Sequence, residues 1–161
     1  MSGRRGKAAR IVSTPPQIVD RAALAEAEPR FVAPALVVAT DDGPALLAGC
    51  CKACGSLSFP RAQVCTECLS EDIGYQHLSQ HGVLYSFTVV HQAPTGWTVP
   101  YVLGYVDLPE GIRVLAHLES RRGPALAIDQ KVRLKLGQVG TSADGAPLVS
   151  YVFTSARKGR S

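Results

Sequence analysis

Residues 49–70 read GCCKACGSLSFPRAQVCTECLS, and within them Cys51, Cys54, Cys65 and Cys68 form the pattern C-x2-C-x10-C-x2-C. Each C-x-x-C pair sits on a tight turn that aims two thiolates at one point. Four soft sulfur donors complete the tetrahedron that Zn²⁺ prefers and leave no position open for water. The spacing therefore predicts a closed structural site for zinc, or for iron in its place. Disulfides are disfavoured, because Met1 to Arg10 is basic and no apolar signal segment follows it, so a reducing cytoplasm is expected. A thioredoxin-like role needs a βαβ setting, which is not legible around these residues. Cys50 is expected to be a buried bystander beside the first ligand.

The stretch around this motif, residues 45–74, is expected to be a zinc ribbon, with strands over Leu46–Cys51 and Leu57–Pro60. Gly55 is expected to supply the left-handed residue that closes the first turn. So short a unit buries too little apolar surface to fold unaided, so the metal must supply the missing free energy. On its N-terminal side, residues 1–44 read as a basic tail, a short helix from Arg21 to Glu28 capped by Asp20 and stopped at Pro29, and an extended arm or weak hairpin. Asp41, Asp42 and Gly43 would form its turn. Residues 157–161 are a second basic tail.

Residues 75–156 change to strict alternation. Val83, Tyr85, Phe87 and Val89 are expected on one strand face, with Leu84, Ser86, Thr88 and Val90 on the other. Tyr101–Leu108 and Ile112–Leu118 form a hairpin across Pro109, Glu110 and Gly111. In Lys131–Leu136 the apolar residues point inward and Lys131, Arg133 and Lys135 into water; Leu148–Thr154 closes the set. A helix is weighed only near Pro124–Gln130. The chain is thus expected to be mainly β, with a C-terminal five-stranded barrel of the oligonucleotide/oligosaccharide-binding (OB) type fitting better than an SH3-like barrel or a sandwich.

Charge argues against nucleic acid as the ligand of such a barrel. The net charge is +4, but seven positive charges lie in the two tails, and removing them takes the net to −3. Between Tyr75 and Ala156 six basic residues face five acidic ones. A phosphate-binding groove needs a basic excess and exposed stacking aromatics, so a nucleic-acid-binding zinc-ribbon and OB protein is the alternative reading. No stretch approaches the roughly 18 apolar residues of a membrane span.

Taken together, GCCKACGSLSFPRAQVCTECLS, GVLYSFTVVHQAP (82–94), PYVLGYVDLPEGIRVLAHL (100–118) and YVF (151–153) resemble the DUF35 family of zinc-ribbon and OB-fold proteins associated with acyl-CoA enzymes. The resemblance covers roughly residues 45–155. It implies a non-catalytic accessory subunit that pairs with a thiolase-fold chain in a hetero-oligomer, assists assembly and the binding of a coenzyme A ester, and leaves the nucleophile to its partner. The lead into the cysteines, Leu46, Leu47 and Gly49, is similar to small subunits of thiolases for aromatic acyl-CoA breakdown.

The residues agree on the non-catalytic point. A thiolase needs a reactive thiolate beside a histidine, yet four of the five cysteines are assigned to metal and Cys50 adjoins them. His77, His81, His91 and His117 read as surface or strand-end residues, so no catalytic residue is assigned. For contact with acyl-CoA or a partner the candidates are Trp97, Tyr101, Arg113, Lys131 and Arg133. Trp97, on the loop Gln92–Pro100, either packs down on the barrel or anchors an interface.

Overall fold

The computed structural model describes residues 29–119 and 126–156. The expected helix at Arg21–Glu28 and both basic tails lie outside these residues. Ten strands are described, together with one 3₁₀ turn at Pro34–Leu36. They form two units that share a strand.

The first unit is organised by β3 (Gly43–Cys51), which pairs antiparallel with β2 (Val37–Thr40), β4 (Leu57–Ser58) and β5 (Ile73–His77). Its nine residues do two jobs. Leu46 and Ala48, near its middle, are buried in the same cluster as the barrel core, whereas its last residue, Cys51, is buried with Cys65 and Ile73. A single extended segment thus ties the ribbon to the barrel.

In the second unit β6 (His81–Val90), β7 (Tyr101–Asp107) and β8 (Arg113–Glu119) form an antiparallel meander. β9 (Lys131–Thr141) and β10 (Pro147–Ser155) form a hairpin; β9 also pairs with β6, and β10 runs parallel to β8, which closes the ring. The result is a closed five-stranded β-barrel of the OB kind. A two-residue strand β1 (Arg30–Phe31) continues alongside β10. Alternate residues fill the interior: Leu84, Val106, Val114, Leu118, Val132, Leu134 and Phe153 are all buried. Gly104 takes an inward position that no larger residue fits, since a Cβ there would lie 2.5 Å from Leu118 Cδ1 and from the Ser86 carbonyl.

Three expectations are corrected. The alternation along β6 is broken, because Leu84 pairs with Val106 but Ser86 pairs with Tyr105, leaving Tyr85 as the extra residue of a bulge. A one-residue slip exchanges the faces of everything beyond it. Phe87 and Val89 therefore share a side with their partners Gly104 and Val102, not with Val83 and Tyr85. Lys135 is not simply in water, since its ammonium meets the buried Glu119 carboxylate. The described part of the segment weighed as a helix, Leu126–Gln130, is a turn in which the Gln130 amide donates to the Ala127 carbonyl.

Candidate metal centre

The two C-x-x-C pairs build near-identical turns. In the first, the Gly55 amide donates to the Cys51 carbonyl at 2.8 Å and the Cys51 amide to the Ser56 carbonyl at 2.9 Å. In the second, the Leu69 amide donates to the Cys65 carbonyl at 2.9 Å and the Cys65 amide to the Ser70 carbonyl at 2.8 Å. The sequence repeats accordingly, as C-x-x-C-G-S and C-x-x-C-L-S. Both turns close through a left-handed residue, with φ 76° at Gly55 and φ 61° at Leu69. Glycine adopts this conformation freely, whereas an L-residue pays roughly 1–2 kcal/mol for it.

These turns bring the four sulfur atoms within 4.8 Å of one another. Cys51 and Cys68 lie 3.6 Å apart, as do Cys54 and Cys65. Four sulfurs at about 2.3 Å from a tetrahedral Zn²⁺ would be separated by about 3.8 Å, so the donor set fits the ion. Cys51 and Cys65 are buried, Cys54 and Cys68 exposed. Cys50 stands outside the cluster and is half-buried rather than buried.

The electrostatics of the thiols point the same way. The Cys68 amide, then the Ser56 hydroxyl, hold the Cys65 thiol down to about 6. At Cys68 the pull of the Ser70 amide is outweighed by the crowding sulfurs of Cys54 and Cys51, and the thiol is pushed up to about 12. Four thiolates cannot share one point unless a cation neutralises them. Zinc would supply that charge and a four-way cross-link between the two turns, with no open position for chemistry.

Around the centre, Lys52 pairs with Asp72 at 2.8 Å and Arg61 lies over the Tyr75 ring, donating to the Ile73 carbonyl. These contacts brace β5 against the cysteine turns. Among the described residues the four cysteines form the one group of His, Cys, Asp and Glu side chains placed to hold a metal.

The five contact candidates do not converge. Trp97 packs down on the barrel: its ring stacks on His117 at 5.2 Å with an interplanar angle of 3°, and Tyr101 lies 4.7 Å from the same imidazole. The loop is held there by Thr98, whose amide donates to the Val139 carbonyl, and by Gly96, whose carbonyl accepts from the Thr141 amide. His117, expected on the surface, is buried under this strap. Burial pushes its imidazole down to about 4 and keeps it neutral. Arg113 is held in a two-pronged pair by Asp107 and lies 3.3 Å from the Tyr85 ring centre. Lys131 stands on the outer face of β9, in register with Val83. Arg133 opens, with His77 and His81, into a cleft of about 650 Å³ between the β2–β3 turn and the barrel.

The sequence of this ribbon and barrel matches two family models, the rubredoxin-like zinc ribbon domain of ChsH2 over residues 44–74 and the C-terminal OB-fold domain of ChsH2 over residues 75–136. The fold is similar to that solved for an "Ltp2-ChsH2(DUF35) aldolase", with a TM-score of 0.58 and 27% identity over 70% of this chain and 86% of that one. The chain belongs to the DUF35 family. This DUF35 chain is 41% identical, over 76% of its length and 86% of the relative's, to the benzoylsuccinyl-CoA thiolase subunit BbsA of Thauera aromatica. It is 40% identical to the subunit of the same name from Geobacter metallireducens, over 73% and 80% of the two chains. A DUF35 domain-containing scaffold protein of Methanocaldococcus jannaschii is 28% identical over 64% of the chain.

Proposed function

We propose that this DUF35 chain is a non-catalytic accessory subunit of a thiolase-fold acyl-CoA enzyme, assembling with a catalytic subunit that carries the nucleophile. The observation that carries the reading is the 41% identity to a benzoylsuccinyl-CoA thiolase subunit over nearly the whole of that protein. The metal centre supports it, because a four-thiolate zinc site is a cross-link and not a reaction site. The same relative makes the thioester of an aromatic acid the favoured substrate class of the complex.

Contact with the coenzyme A ester is the finer part of the proposal. Trp97, Tyr101 and Arg113 are engaged within the barrel, which favours the Arg133 cleft as the place where this chain would approach the ligand. Affinity purification of the chain from its native host, followed by mass spectrometry, tests the reading. A thiolase-fold chain at equal abundance is expected, and its consistent absence would refute it. A photoreactive coenzyme A ester should then label both chains; labelling confined to the catalytic subunit would remove direct ligand contact from this one.

A further inference from the structure

The two cysteine turns differ in what they present to solvent. The first shows Lys52, Ala53 and Gly55, with Lys52 paired to Asp72. The second shows Val64, 41% exposed, and Leu69, whose 76% makes it the most exposed large apolar side chain among the described residues. Leu69 also holds a left-handed backbone, at the position where the sister turn uses glycine. A side chain that gains nothing from burial, kept where its own backbone is strained, has no role in stabilising the free chain. Exposed Glu67 and Glu71 flank it on either side.

We propose that the second cysteine turn is a docking tip, with Leu69 and Val64 seated in an apolar pocket of the thiolase-fold subunit and Glu67 and Glu71 meeting basic side chains at the pocket rim. The inference rests on the function proposed above and names the surface that performs it. Charge argues against a tip-to-tip contact between two copies, which would bring like carboxylates together. An apolar anchor ringed by charges is the usual anatomy of a compact interface core.

The test uses the full-length zinc-loaded chain and the catalytic subunit that co-purifies with it. Leu69→Gly is expected to weaken association by about tenfold or more while retaining zinc and resisting chelator better than the natural chain. A merely structural leucine would not produce that opposition. Glu67→Lys combined with Glu71→Lys is expected to weaken association and flatten its salt dependence. Association of Leu69→Gly within twofold of the natural chain would overturn the assignment while leaving the accessory role standing. So would a dimer of the isolated chain that Leu69→Gly abolishes, since the occupant would then be a second copy. If the natural chain forms no complex at all, the docking tip and the proposed function both fail.

Discussion

The ribbon and the barrel are one molecule held together by two different kinds of force. At the metal end the ribbon buries only Cys51, Cys65 and Ile73 against one another, whereas twelve residues, from Leu46 to Phe153, form the cluster that fills the barrel. The first is too small to fold by exclusion of water and must be closed by a metal; the second needs none. β3 belongs to both, which is why the difference does not simply divide the chain in two. Leu46 and Ala48 pack with the barrel core, so the middle of β3 is expected to hold whether or not zinc is present, whereas its last residue, Cys51, leads into a turn that the metal completes.

Removing the metal should therefore break the comparison most sharply. Chelation, or Cys65→Ser, is expected to unfold the cysteine turns, with a loss on the order of 10 kcal/mol of metal-derived free energy. The barrel should keep its near-ultraviolet signal from Trp97, which stacks far along the chain on His117. If that signal collapses at the same chelator concentration, β3 couples the two units into one. The converse variant is Phe153→Ala, at a fully buried position in the barrel. It should cost about 3–5 kcal/mol in denaturant unfolding followed by Trp97 fluorescence, with zinc stoichiometry at low denaturant unchanged. Loss of zinc in that variant would show that the ribbon depends on the barrel more than the barrel depends on the ribbon.

How much of this could be read from the chain follows the same division. The metal centre was legible because ligand chemistry is local: C-x2-C-x10-C-x2-C prescribes turns and donors within about twenty residues. The barrel strands were legible as alternation, but the bulge at Tyr85 was not, because register is set by a partner strand and not by the strand itself. Trp97, His117 and Lys135 were misjudged or left open for the same reason: the strap that buries His117 comes from about twenty residues upstream, and the carboxylate that meets Lys135 comes from Glu119 on β8, outside its own hairpin. Leu69 was missed although its signal was present. The repeat of C-x-x-C-G-S as C-x-x-C-L-S, compared position by position, places a leucine where the turn demands a left-handed residue.

His117 offers the finest test of what the strap does. Its imidazole is held neutral by burial between Trp97 and Tyr101, down to about 4 in the folded chain against about 6.5 when exposed. Between those values the unfolded chain takes up a proton that the folded chain refuses, so stability is complete above about pH 6.5 and falls as the pH drops toward 4. The loss should reach about 3 kcal/mol and then level off. The Cys65 thiol, held down to about 6, titrates close to the same range, so the measurement must compare variants and not pH values alone. In His117→Phe, which keeps an aromatic ring under Trp97 without a titrating nitrogen, the barrel's denaturant midpoint should fall less steeply from pH 7 to 4.5 than in the natural chain. Equal slopes would mean that the strap opens before the histidine is protonated, and that Trp97 rests on the barrel without sealing it.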